Sequence, residues 1–259
     1  VESPPGSSRA DRERLLELLA ERETRAKQRK FYSFFPDENV LDPATGEVLY
    51  HARDGYTKHL EHFAAGAEYA QRLFMAANRV GKTIAGSYEL TCHLTGEYPH
   101  WWAGRRFPKP ISAWAAGKTD ETTRDIVQQE LLGPVIGRGP TKRLEGTGMV
   151  PGRLLDMPTW KSGIPDFVDT IRVKHVTGGW SLLGFKSFKQ GRGSFEGTAK
   201  DVIWGDEEMP IDVFGECLIR TMTKNGLILL TFTPIEGITQ LVKQFLLSQE
   251  IGAEMETGD

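Results

Sequence analysis

Apolar positions in this chain come in short runs separated by turn residues, and from residue 72 onward those runs alternate with stretches of helical period. Arg72-Leu73-Phe74-Met75-Ala76 has the length of a buried strand, and Asn78-Arg79-Val80-Gly81 reads as a turn. Lys82 to Leu94 carries a helical period and meets a stop at Gly96. Ile111 to Ala116 is a second strand, and Thr119 and Asp120 can cap a helix through about Leu132, ended by Gly133-Pro134. Ile171 to Val176 alternates as a strand should. Gly178-Gly179 turns the chain, and Trp180 to Phe188 returns as a hairpin. Asp201 to Gly205 and Leu227 to Phe232 are further apolar strands, with helices expected over Val213 to Thr221 and Ile238 to Leu247. Residues 137–168 show no period. Strands alternating with helices predict an α/β fold with a mostly parallel central sheet covered on both faces and an inserted hairpin.

The N-terminal part reads differently. Residues 1–8 are expected to be a disordered lead, and residues 9–30 a charged helix with a short stripe of Leu15, Leu18 and Leu19 beside Leu16. That stripe fits a helix packed on its own domain or one docked on a partner subunit. Residues 31–58 look irregular, and 59–70 can form a helix. The expected division is therefore 1–58 as helix and lead, 59–248 as one α/β domain, and 249–259 as a tail or the start of a linker.

Composition narrows the class. Among 259 residues, 39% are apolar and 26% charged, which disfavours a membrane protein and a disordered chain. The aliphatic run Leu227-Ile228-Leu229-Leu230 is far short of the ~20 residues needed to span a bilayer. Two cysteines, Cys92 and Cys217, are too few for a disulfide scaffold or a thiolate zinc cluster. Net charge is 32 − 35 = −3, so any nucleic-acid contact must come from a local patch or an assembly of subunits. No signal peptide is visible, which makes a cytoplasmic setting the expectation.

The chemistry concentrates around Ala76-Ala77-Asn78-Arg79-Val80-Gly81-Lys82-Thr83, which nearly fits the phosphate-loop template G-x-x-x-x-G-K-[ST], with Ala76 in place of the first glycine. A strand ends, the backbone curls and a helix begins, so amides of the curl and of the helix N-terminus can face one phosphate. Gly81 permits close approach, Lys82 supplies a point charge for the β and γ phosphates, and the Thr83 hydroxyl can ligate Mg²⁺. Nucleotide contacts are thus expected from Ala77, Asn78, Arg79, Val80, Gly81, Lys82 and Thr83.

Val202-Ile203-Trp204-Gly205-Asp206-Glu207-Glu208 is an apolar run ending in acids, where a parallel sheet would place a metal carboxylate and a group orienting water. Asp206 is the candidate metal ligand and Glu207 the candidate catalytic acid, with Glu208 as its competitor. Alternation along a strand predicts that only one of the two glutamates shares the site's face. Thr231 and Thr233, at the end of the run Leu229 to Pro234, could sense the γ-phosphate or could be ordinary core threonines. Arg192 lies in the loop Gln190 to Gly197, whose flanking glycines predict mobility. It could stabilise phosphate charge or form a surface salt bridge. Arg79 is the other candidate arginine. Tyr56, His59 and Phe63 lie upstream where an adenine base could pack. Trp101 and Trp102 read as packing rather than as a stacking platform.

These features together resemble the large terminase subunits of tailed bacteriophages, the motors that package DNA into empty capsids. The resemblance rests on Met75 to Thr83, His93 to Pro99 with Trp101-Trp102 and Arg105-Arg106-Phe107, the Gln190-Gly191-Arg192 loop, Asp206-Glu207-Glu208, and Thr231-Phe232-Thr233-Pro234. It runs from about Tyr56 to about Leu247. It implies a P-loop NTPase fold of the ASCE type, with Gly81-Lys82-Thr83 as the Walker A end, Asp206-Glu207 as Walker B and catalytic acid, and Thr231 to Pro234 as a coupling motif. It implies ATP and Mg²⁺ as cofactors and ATP-driven movement of double-stranded DNA. Implied partners are a portal protein, a small terminase subunit and further copies of the chain in a ring on the procapsid, in the host cytoplasm. Many members carry an arginine where this chain has Asn78; here Arg79 follows one place later. The family's C-terminal nuclease domain has no counterpart in this sequence, so no DNA cleavage is expected from it. Without the resemblance, a helicase-like translocase, a small-molecule kinase or a non-catalytic nucleotide-binding module would also fit a phosphate loop.

Overall fold

The computed structural model describes residues 9–27 and 29–246; the expected lead over 1–8 and the tail over 249–259 lie outside the described residues. Its centre is a seven-stranded sheet. Across it the order is Gln71–Met75, Leu227–Phe232, Val202–Asp206, Ser112–Gly117, Trp180–Ser187, Val168–Lys174 and Thr159–Trp160. The first five strands are parallel and the last two antiparallel, so the expected hairpin extends one edge of a parallel sheet. Thr159–Trp160, in the stretch that showed no period, is a two-residue edge strand.

Strand Leu227–Phe232, second from one edge, pairs on both sides, with Thr231 opposite Asp206 in one neighbour and Phe74 in the other. All six of its residues are buried, as a continuous apolar run in a covered parallel sheet requires. It is the additional strand, between the phosphate-loop strand and the acidic strand, that marks the ASCE type.

Alternation along the strands divides the core. Trp204, Leu227 and Leu229 pack on Leu90 and Leu94 of helix Lys82–Thr95 and on Val127 and Leu131. Ile203, Ile228 and Leu230 face the other way, onto Val213, Phe214 and Cys217 of helix Ile211–Met222 and onto Leu241 and Val242 of the helical residues 240–246. The helix after the second strand is capped by Thr119, whose hydroxyl accepts the Thr122 amide, and it passes through a π-helical segment, Thr123–Gln128.

Two devices fix the strand and helix that flank the phosphate loop. Helix Lys82–Thr95 starts at Gly81 (φ 82°) and ends at Gly96 (φ 72°), whose amide bonds to Cys92 O. Behind it, Arg72 of the loop strand makes a buried fork to Glu89 of the helix, Nη2 to Oε1 at 2.5 Å and Nη1 to Oε2 at 3.2 Å. His93 Nε2 lies 3.2 Å from the same carboxylate. The Tyr98 hydroxyl accepts the Phe107 amide and so donates to His93 Nδ1, which leaves the Nε2 proton for Glu89. Burial alone would raise the Glu89 carboxyl, but Arg72 and His93 outweigh it and hold it down to about 2.

The N-terminal segment divides in two. Phe31 and Phe35 are buried with Phe63, Tyr88 and Trp102, so the segment before residue 58 shares a core with the α/β domain. Trp101 stacks on Tyr88 (interplanar angle 8°) and Trp102 on Phe63, which makes both tryptophans packing residues. In helix Arg9–Lys27 the leucine stripe stays open to solvent among the described residues: Leu15, Leu16, Leu18 and Leu19 are each at least 41% exposed. No helix of the described residues is long and apolar enough to cross a membrane.

Candidate nucleotide site

The phosphate-loop strand ends at Met75 and the helix starts at Lys82, so residues 76–81 form the curl. Arg79 (φ 62°) and Gly81 both take left-handed backbone, which turns the chain back toward the helix axis. Lys82 Nζ donates to Ala76 O at 3.0 Å and to Ala77 O at 2.5 Å, inside the curl. Burial lowers the Lys82 pKa, against an opposing pull from Asp206. An ammonium held on carbonyl oxygens has only to rotate to reach a phosphate there.

Asp206 ends the acidic strand, is 5% exposed, and accepts from both flanking elements. The Thr231 hydroxyl donates to its Oδ1 at 2.7 Å, and Thr83 Oγ1 lies 3.1 Å from each carboxylate oxygen. Burial pushes this carboxyl up to about 6, opposed by the two hydroxyls. A carboxylate and a hydroxyl are hard oxygen donors, too few for a closed cage, and suit Mg²⁺, which keeps waters and substrate phosphates in its shell. Among the described residues no group of three or more His, Cys, Asp or Glu could hold a metal.

Glu207 does not follow the alternation expected of a strand. Its φ of 83° turns the chain, and its amide bonds to Thr231 O at 2.8 Å. Both glutamates consequently line the same cavity, of about 1170 Å³. They differ in engagement. Glu208 accepts from the Thr239 hydroxyl, whereas no side-chain bond of Glu207 is found among the described residues. Left-handed backbone at a non-glycine residue is costly and collects at functional sites.

Asn78, Arg79, Gly81, Lys82, Thr83, Asp206, Glu207, Thr231 and Thr233 share this cavity, while Ala77 and Val80 stay outside its lining. Thr233 Oγ1 lies 2.8 Å from Asn78 Oδ1 and 3.1 Å from Ala76 O. Lys118 and Lys189 also line it and were not singled out from the sequence. They follow the strands Ser112–Gly117 and Trp180–Ser187, and the Lys189 amide bonds to Lys118 O at 3.0 Å. The readable signal was a lysine just past an apolar strand, where strand ends converge on a ligand.

The remaining candidates lie away from this cavity. Arg192 is absent from the cavity lining, and its Nε bonds to Glu216 at 3.1 Å on helix Ile211–Met222. Its loop is not loose: Phe188 and Phe195 are buried on either side, and Gln190 bonds to Asp120 at 2.5 Å, so apolar burial pins a segment rich in glycine. Tyr56, His59 and Phe63 are likewise absent from the lining of this cavity. Phe63 is 1% exposed in the core, and His59 packs edge-on against Tyr56 and Phe74 behind the curl.

Comparison with known proteins identifies the family. A family described as terminase large subunit, T4likevirus-type, N-terminal, matches residues 73–253. The terminase large subunit of Salmonella phage P22 is 34% identical over 251 residues, covering 90% of this chain and 45% of that protein. Among solved structures, the large terminase of a thermophilic bacteriophage, in complex with ADP, is 14% identical over 68% of this chain and 38% of its own, with a TM-score of 0.45. The HK97 bacteriophage large terminase is 11% identical over 80% of this chain and 37% of its own, with a TM-score of 0.46. The chain spans less than half the length of each of these relatives. With the family match spanning residues 73–253, well over half of the sequence, the chain belongs to the terminase large subunit family, in its T4likevirus-type N-terminal region.

Proposed function

We propose that this chain is a Mg²⁺-dependent ATPase whose turnover drives double-stranded DNA into a viral procapsid. The observation that carries the reading is the linkage of Thr83, Asp206 and Thr231 beside an unengaged Glu207, all facing the cavity that Lys82 enters. The metal would be held by Thr83 and Asp206 and would supply charge neutralisation at the β and γ phosphates.

The chain's own residues do the rest. Lys82 leaves the Ala76 and Ala77 carbonyls for phosphate oxygens. Glu207 orients a water and accepts its proton as the water oxygen bonds to the γ-phosphorus. The bridging P–O bond breaks with its electron pair going to ADP. Asn78, held at Thr233, orders the curl, and Arg79, Lys118 and Lys189 are the cations available to the γ-phosphate from the same subunit. Residues 59–248 carry this chemistry. Arg192 serves the nucleotide of an adjacent copy in a ring, after its pair with Glu216 opens. Portal protein, small terminase subunit and DNA are the partners, in the host cytoplasm.

Phosphate release measured with and without double-stranded DNA tests the reading. Hydrolysis that DNA stimulates and that Lys82→Ala and Glu207→Ala abolish is expected. Near-normal turnover in Lys82→Ala would remove the phosphate-loop assignment. Hydrolysis indifferent to DNA would leave an ATPase without the packaging role.

A further inference from the structure

Behind the metal carboxylate stands a residue that touches all three elements of the site. Trp204 lies two positions before Asp206 on the acidic strand, so both point to the same face. Its indole is fully buried, and Nε1 bonds to Thr231 Oγ1 at 2.8 Å. The ring also lies against Gly86 of the phosphate-loop helix, where a Cβ would overlap the indole. The acidic strand, the coupling strand and the phosphate-loop helix thus meet on one side chain.

Hydrogen-bond bookkeeping gives this contact a direction. An indole N–H can only donate, and a threonine hydroxyl has one hydrogen to give. With Trp204 donating into Thr231 Oγ1, the Thr231 hydrogen must leave on another side. Its acceptors there are Asp206 Oδ1 at 2.7 Å and Gly205 O at 3.5 Å, and the carboxylate is the closer. Thr231 is 1% exposed, so water does not compete freely for that choice. Donation into the oxygen also polarises the O–H that Asp206 receives.

We infer that Trp204 is a positioning residue for the metal site: its indole N–H holds Thr231 as a donor to Asp206 and so presets the carboxylate that receives Mg²⁺. This rests on the proposed roles of Asp206 and Thr83. It goes beyond them in making metal affinity depend on a buried tryptophan that touches neither metal nor nucleotide.

The test replaces the N–H and keeps the shape. Benzothienylalanine, a tryptophan isostere with sulfur in place of the indole nitrogen, is introduced at position 204. Binding of a fluorescent, non-hydrolysable ATP analogue is then titrated with Mg²⁺. The Mg²⁺ midpoint should rise about threefold to tenfold, the scale of one neutral hydrogen bond, while affinity for the metal-free nucleotide stays at the wild-type value and melting stays cooperative. Thr231→Val should raise the midpoint as well, Thr231→Ser should restore it, and the isostere combined with Thr231→Val should give no more than Thr231→Val alone. If the isostere protein does not fold, Trp204→Phe carries the same comparison. An unchanged midpoint, or effects that multiply, overturns the inference alone. Wild-type binding that ignores Mg²⁺ overturns the metal-site reading and the inference with it.

Discussion

Thr233 Oγ1 stands 2.8 Å from Asn78 Oδ1, which ties the chain just past strand Leu227–Phe232 to the phosphate loop. Two residues earlier, Thr231 touches Asp206. Hydroxyls at alternate positions therefore serve opposite sides of one cavity. Thr233→Val should leave the fold intact and weaken ATP binding about threefold to tenfold, because the curl loses the bond that orders Asn78. Equilibrium binding of a fluorescent nucleotide reads the change; unaltered affinity would make Thr233 a passive neighbour.

Glu207 and Glu208 should separate cleanly. Glu207→Gln should trap ATP and cut turnover by about 10²–10⁴. Glu208→Gln should keep turnover within a few-fold, since its carboxylate is engaged with Thr239 at the start of the helical residues 240–246. Filter retention of labelled ATP beside phosphate release distinguishes them, and the reverse pattern would exchange the roles.

Arg192 is stationed on Glu216, away from its own cavity. Arg192→Ala subunits and Glu207→Ala subunits should each be slow alone and recover ATPase when mixed, because each supplies what the other lacks. The rise should depend on protein concentration. Absence of recovery, where wild-type activity does rise with concentration, assigns the cationic role to Arg79, Lys118 or Lys189 instead.

The Arg72–Glu89 pair should appear as acid sensitivity. Glu89 titrates near 2 in the folded chain, against the 4.5 of an ordinary glutamate. Its contribution is therefore complete above the unfolded value and is lost as pH falls through the folded one. Urea midpoints of the wild type should drop between pH 4.5 and 2 more steeply than those of Glu89→Gln. At neutral pH that variant should be less stable by about 3–5 kcal/mol, since it leaves Arg72 charged and buried without its partner.

Gly86→Ala should be among the more damaging single-methyl changes, because the added Cβ would run into the Trp204 indole. Helix and sheet would have to separate along their closest approach, lowering the melting temperature and, through Trp204, raising the Mg²⁺ requirement. A variant with wild-type stability would mean that the helix can shift without cost.

What the sequence discloses depends on how local the cause is. The strand, curl and helix around Lys82 are legible because a strand-length run, a left-handed glycine and a helical period lie within two dozen residues. Asp206 is legible as the polar end of an apolar run. Lys118 and Lys189 are not, because their convergence arises from sheet order, which brings the strands after which they come alongside one another and the first of these beside the acidic strand. Arg192 misleads for a related reason: its partner Glu216 is 24 positions away, and nothing near the arginine announces it. Glu207 defeats the alternation rule through a single backbone angle. Phe31 and Phe35 follow no period, so the lead's share in the core emerges only from three-dimensional packing.

The double pairing of Leu227–Phe232 has a mechanical corollary. A strand clamped by ladders on both flanks and buried on both faces cannot slip in register or tilt by itself. The first residues outside these two ladders are those beyond Phe232. There Ile235 and Ile238 stand 83% and 65% exposed at the domain's rim. The paired sheet is thus the rigid part of this region, and the exposed residues after it are the compliant part.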